Sequence, residues 1–138
     1  MLVLVASCRR TDAAHDLGQK WVDALNSRDP ARVAALMASD GTFLDPVTPQ
    51  PLSVDGFRSR LQIERTVWKE REYRVRQLVA NDDRIAIKWE LKQRYANDVL
   101  FPIEGLTVLD VRDGRVASVR DYYNAALYLG LLSAQPAK

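Results

Sequence analysis

The hydrophobic pattern of the chain changes period once, near residue 68. Before that point apolar residues recur at helical spacing. Residues 13–27 carry Ala14, Leu17, Trp21 and Leu25 on one face, with Thr11 or Asp12 placed to cap the helix start. Asn26-Ser27-Arg28 breaks the pattern. Asp29-Pro30 then opens a second helix, Asp as N-cap and Pro in the first turn, with Val33, Leu36 and Met37 as its apolar stripe. Asp40-Gly41 reads as a turn and Thr42 to Asp45 as a short strand. Residues 46–52 hold Pro46, Pro49 and Pro51 and read as loop. Ser53 is placed to cap a third helix reaching about Trp68.

Beyond it the period is two. Arg71 to Ala80 reads as a strand ending at Asn81-Asp82-Asp83. In residues 84–95, Ile85, Ile87, Trp89 and Leu91 share one face, and Lys88, Glu90, Lys92 and Arg94 the other. Ala96-Asn97-Asp98 predicts a hairpin turn. Residues 100–111 are apolar on both faces, as in a central strand. Asp113-Gly114 is a two-residue hairpin signal. Residues 115–124 form the last strand, and the apolar tail to Leu132 predicts a short helix. This order predicts an α+β fold: a cone-shaped, curved antiparallel sheet packed on three N-terminal helices and enclosing a pocket.

Composition narrows the function classes. The 138 residues include one Cys and one His. An internal disulfide is excluded, and a Cys/His zinc site lacks ligands, so neither a metal nor any other cofactor is expected. His15 falls on the helix face away from Leu17 and Trp21 and is expected to be exposed. The net charge of +2 and the acids interrupting the basic stretch from Arg58 to Arg76 argue against a nucleic-acid surface. That stretch reads as a solvated helix and strand.

The N-terminus stands apart. Residues 2–6 are wholly apolar, yet too few to span a bilayer. Val5-Ala6-Ser7-Cys8 resembles a bacterial lipobox, with Cys8 as the lipidated residue. Residues 1–12 are accordingly expected to be an apolar start and tether, the remnant of a lipoprotein signal. Residues 13–138 are expected to form a single domain. A lipid anchor at Cys8 would be the chain's one route to a membrane. It would place the protein in the bacterial cell envelope, and without it the cytoplasm is expected.

Several local motifs then carry a resemblance. Trp21-Val22-Asp23-Ala24-Leu25 precedes Arg28-Asp29. Ala35-Leu36-Met37 leads to Asp40-Gly41-Thr42-Phe43 and Asp45-Pro46. Asp113-Gly114-Arg115-Val116 is followed by Arg120-Asp121-Tyr122-Tyr123-Asn124. In this order the motifs resemble the nuclear transport factor two-like superfamily across residues 13–132. That group includes SnoaL-like polyketide cyclases, ketosteroid isomerases and limonene-epoxide hydrolases. The resemblance implies the cone fold but not one chemistry, since the fold hosts many functions.

Asp121 is the leading catalytic candidate. It shares a strand face with Ala117, Val119 and Tyr123, so an apolar wall would raise its pKa and suit it to proton transfer. The resemblance agrees, because epoxide-hydrolase-like members carry a catalytic Asp in an Arg-Asp-Tyr-aromatic motif. The bland reading is an Asp paired with an Arg at the sheet rim. Asp45 is the second carboxyl candidate. The resemblance to ketosteroid isomerases implies a proton-shuttling Asp in such an Asp-Pro, whereas the residues alone fit a turn starter equally well. The isomerases' first-helix Tyr and strand acid would fall on Trp21 and near Thr107, which do not reproduce them. Tyr123 is expected to donate a hydrogen bond to a ligand or to Asp121. The epoxide-hydrolase resemblance places an Arg and acid pair near Lys88 and Glu90, or in another register at Arg84 and Ala86. The alternation there is also that of a solvent-facing strand, which is the preferred reading. Trp21, Phe43, Trp89, Phe101 and Val119 are expected to line the pocket.

Together these point to a SnoaL-like pocket for a small hydrophobic ligand, with acid–base chemistry of isomerase, cyclase or epoxide-hydrolase type. The rival is a non-catalytic ligand- or partner-binding envelope lipoprotein. The sheet's outer face would permit a homodimer.

Overall fold

The computed structural model describes residues 2–95, 98 and 100–133, with residues 2–8, 131 and 132 described by backbone alone. Four helices and six strands follow in the order α1 (Leu2–Ser27), α2 (Pro30–Ala35), β1 (Met37–Leu44), β2 (Leu52–Ser53), α3 (Val54–Val67), β3 (Trp68–Ala80), β4 (Arg84–Tyr95), β5 (Ile103–Arg112), β6 (Arg115–Tyr123) and α4 (Ala125–Ser133). The strands form one sheet in the order β2-β1-β6-β5-β4-β3. Every pairing is antiparallel except β1 with β6, which is parallel.

The three N-terminal helices fill the concave side of this sheet. Ala14, Leu17, Trp21 and Val22 bury the inner stripe of α1 against Ile85, Ile87 and Leu109. Gly18 sets how closely α1 approaches: a Cβ there would stand 2.9 Å from side-chain carbons of both Ile85 and Leu78. Two further devices fix the end of α1. The Asn26 amide bonds the main chain of β3, donating to Tyr73 O at 2.9 Å and accepting from Tyr73 N at 2.7 Å. This satisfies backbone groups on an edge strand. Arg28 adopts a left-handed φ of 58°, and its guanidinium donates to the carbonyls of Arg65, Trp68 and Lys69. It thereby ties the start of α2 to the junction of α3 and β3. Asp29 caps α2 through Ala31 N, and Ser53 caps α3 through Gly56 N, both as the sequence predicts.

Several boundaries differ from the expectation. α1 begins at Leu2 rather than residue 13, so residues 9–12 are helical. The lipidation expected at Cys8 concerns a side chain outside the described residues. Met37 belongs to β1 rather than to the second helix. Asp40-Gly41 is no turn: β1 runs through it, with a register shift between Met37 and Thr42 against β6. Gly41 is needed there because a Cβ would lie 2.9 Å from Ala38 O. The expected proline loop ends in the two-residue strand β2. Asp113 and Gly114 both take positive φ, 53° and 72°, the hairpin geometry their sequence predicts. The Ala96-Asn97-Asp98 turn lies largely outside the described residues. α4 follows β6, and its Tyr128 packs edge-on against Phe101 and Tyr123, placing it over one end of the cone.

Candidate functional site

Sheet and helices do not close completely. A narrow cleft of about 30 Å³, partly open to solvent, remains between α1, α3, α4 and the concave sheet. Its apolar lining comes from Trp21 and Phe57 on the helices and from Phe43, Leu91, Ile103 and Val119 on the sheet. Phe43 and Phe57 stack with centroids 4.0 Å apart. Of the expected lining residues, Trp21, Phe43, Trp89 and Val119 do line the cleft. Phe101 does not: fully buried, it packs edge-on against Trp68 and Tyr128 in the core beyond.

Along one wall runs a ladder of alternating acids and bases. Asp45 stands just past β1, with its side chain only 2% exposed. One carboxylate oxygen accepts from Val47 N at 3.2 Å and from the Thr48 hydroxyl. The other accepts from Arg60 Nη2 at 2.5 Å and from Tyr123 OH at 3.0 Å. Asp45 starts a turn, as the Asp-Pro sequence allows, and its carboxylate also faces the cleft. Arg60 continues the ladder, donating to Thr48 at 2.7 Å and to Glu64 at 3.3 Å, with its guanidinium 5.1 Å above the Phe43 ring. Glu64 in turn accepts from Arg71 Nη1, and Arg71 Nη2 donates to Tyr73 OH at 3.3 Å. Two carboxylates thus face two guanidinium groups, and a phenol closes each end.

The electrostatics follow from this pairing. Burial pushes the Asp45 carboxyl up, but its bonds from Arg60, Thr48 and Tyr123 outweigh that and hold it below the usual aspartate value. Burial alone would lower Arg60 and Arg71, yet their acidic and phenolic neighbours raise both. Tyr73 and Tyr123 are raised, chiefly by burial, so both phenols keep their protons. Asp45 is therefore a fixed anion with both oxygens committed.

Asp121 stands outside the ladder. It lies on the inner face of β6, opposite Thr107 of β5. Its Oδ1 accepts from the Thr107 hydroxyl at 2.5 Å, and Oδ2 accepts from no described residue. Burial pushes its carboxyl up to about 6. Asp45 adds to the rise, while Thr107, Arg71 and Arg60 offset part of it. An acid of this kind exchanges a proton near neutrality.

The remaining expectations fall as follows. Tyr123 reaches Asp45, not Asp121. Lys88 and Glu90 lie on the outer face, where Lys88 is exposed and Glu90 pairs with Arg76 at 2.6 Å. They are therefore not part of the cleft, because side chains alternate along β4 and Trp89 and Leu91 take the inner positions. His15 is exposed. Arg60, Glu64, Arg71 and Tyr73 were not expected in the site, since their stretch reads as solvated. A signal was present: Phe57, Arg60, Leu61 and Glu64 share one helix face, and Arg71 alternates into register with Tyr73 and Val75. The amide of Gln93 on β4 is fully buried beside this wall, opposite Arg71, without a hydrogen-bond partner among the described residues. Among the described residues no group of His, Cys, Asp and Glu could hold a metal. No described helix is long and apolar enough to cross a membrane.

This architecture recurs in solved structures. A protein assigned as a polyketide cyclase from Xanthomonas campestris is 23% identical, with a TM-score of 0.79 over 88% of this chain and 97% of that one. A protein with a ketosteroid isomerase-like fold from Catenulispora acidiphila, in complex with trimethylamine, is 17% identical, with a TM-score of 0.77 over 85% and 92%. TerC, co-crystallised with polyporic acid, is 14% identical, with a TM-score of 0.76 over 86% and 97%. These likenesses establish the nuclear transport factor two-like fold. No curated protein matches the sequence. The SnoaL-like domain description matches residues 19–119, from α1 through the inner face of β6. With most of the chain matched and the cone and cleft in place, the protein belongs to the SnoaL-like domain family.

Proposed function

We propose that the cleft performs acid–base chemistry on a small, largely apolar molecule that bears a carbonyl group. Asp121 is the proton carrier. As the carboxylate it takes a proton from carbon next to the carbonyl, and as the acid it returns that proton to the same or another carbon. Electron density arriving on the carbonyl oxygen needs a donor. Tyr73 suits this role. Its oxygen accepts from Arg71, its own proton is donated to no described residue, and it lines the same cleft. The apolar lining favours an apolar ligand body.

The observation that carries this reading is the uncommitted oxygen of Asp121 on a cleft wall where burial raises the carboxyl to about 6. Opening an epoxide calls for a second carboxyl that gives or takes a proton. Asp45, held by four hydrogen bonds, is poorly suited to that, which favours carbon-acid chemistry over epoxide opening. The test is solvent exchange. Small ketones and 1,3-diketones are incubated with the protein in D₂O, and loss of the α-proton signal is followed by NMR. Exchange faster than buffer that is abolished in Asp121→Asn supports the proposal. Equal exchange in both proteins overturns it.

A further inference from the structure

Behind Asp121, three adjacent strands place a second line of polar groups, joined to the ladder by no hydrogen bond among the described residues although Tyr73 packs edge-on against the Trp89 ring. Trp89 of β4 pairs with Gly105 of β5, and Thr107, two residues further along the inner face of β5, pairs with Asp121 of β6. A Cβ at Gly105 would lie 2.5–2.6 Å from the Trp89 ring carbons. The indole therefore lies across the strand where only glycine leaves room. That placement carries Nε1 to Thr107 Oγ1 at 2.8 Å, a buried bond, and Thr107 Oγ1 is 2.5 Å from Asp121 Oδ1.

The direction of these bonds is set by chemistry. An indole nitrogen only donates. Thr107 Oγ1 must accept from it, and the single hydroxyl proton is left for Asp121. We propose that Gly105, Trp89 and Thr107 form a one-way relay that positions Asp121, fixing Oδ1 as a permanent acceptor and leaving Oδ2 as the oxygen that gains and loses the proton. The inference deepens the reading of Asp121 as proton carrier and rests on it for its catalytic meaning. The relay geometry itself does not depend on it. Thr107 and Trp89 act here as positioning residues. They hold the carboxyl plane so that Oδ2, which no described residue engages, is the oxygen left for a ligand.

The relay also stabilises the ionised carboxyl, against the effect of burial. Other groups facing the cleft act on the same titration. These are Asp45 beyond β1, Arg60 and Glu64 on α3, Arg71 and Tyr73 on β3, Tyr123 on β6 and Tyr128 on α4. A test must therefore separate the relay from them. The indole N–H resonance of Trp89 does so, because its hydrogen-bonded path to Asp121 among the described residues runs through the threonine hydroxyl. In the wild-type chain this resonance is expected to titrate with the Asp121 carboxyl. Asp121→Asn should abolish the titration, and so should Thr107→Val, while Thr107→Ser should keep it. In Thr107→Val the Asp121 carboxyl, followed by carbon NMR, should titrate about one pH unit higher through loss of a bond to the charged form. An indole resonance indifferent to pH in the wild type, or an unchanged Asp121 titration in a folded Thr107→Val chain, overturns the relay. An intact relay in a protein that exchanges no ketone α-proton sustains this inference and overturns the proposed function.

Discussion

Tyr123 donates its phenol proton to Asp45, 3.0 Å away beyond the end of the neighbouring strand, rather than to Asp121 two residues earlier on its own strand face. This single bond divides the cleft's acids into two kinds. Asp45 is saturated, ion-paired and fixed in charge. Asp121 is bonded through one oxygen only and titrates near neutrality.

Replacing Asp45 should therefore affect stability first. At pH 7, Asp45→Asn removes the shorter and more buried of Arg60's two carboxylate partners, leaving it Glu64 at 3.3 Å. We expect a loss of about 2–3 kcal/mol in urea unfolding, at or below the usual cost of breaking a buried pair because Arg60 is partly exposed. Because the folded-state pKa of Asp45 is lowered, its stabilisation is present above the ordinary value of 3.8 and is lost as pH falls through the lowered one. The acid limb of the stability curve should flatten in the variant.

Asp121 has the opposite sign. Its folded-state pKa is raised from 3.8 to about 6, so between these values the native state binds the extra proton. Stability should fall as pH rises through this window, by at most about 3 kcal/mol. Asp121→Asn should remove that fall and be the more stable protein at pH 8 while losing activity. Thermal melts of both proteins at pH 4, 6 and 8 check this.

How much of this was legible in the sequence depends on range. The hairpin at Asp113-Gly114, the caps at Asp29 and Ser53 and the alternation of β4 are set by neighbours a few residues apart, and each was readable. Asp121 was readable because Val119 marks its strand face as apolar. The ladder was not, because its bonds join residues from different elements: Arg60 to Asp45, Arg71 to Glu64, Tyr123 to Asp45. A charged residue looks solvated until its partner is placed beside it. Asp40-Gly41 misled for a related reason. Its sequence suits a turn, but parallel pairing with β6 on both sides carries the strand through it.

Tyr73→Phe should separate binding from chemistry. The Asn26 bonds that hold this part of β3 are to the main chain of residue 73, so the strand should stay in place. Loss of the phenol removes the proposed donor to the enolate oxygen. Exchange of a ketone α-proton should slow by roughly 10²-fold, with ligand affinity little changed. An unaltered rate would remove Tyr73 from the mechanism.

Gly105→Ala adds one methyl group where the Trp89 ring and Tyr122 O leave no room. Overpacking of this kind costs about 1–3 kcal/mol. The indole should be displaced from Thr107, which a changed Trp fluorescence spectrum together with a raised Asp121 titration would show.

The most direct measurement is the titration of Asp121 itself in the intact chain, by carboxyl-carbon NMR with Asp121→Asn to assign the resonance. The account predicts a midpoint near 6. A midpoint at or below the ordinary 3.8 would make Asp121 a solvated or ion-paired carboxylate and contradict its role as the proton carrier.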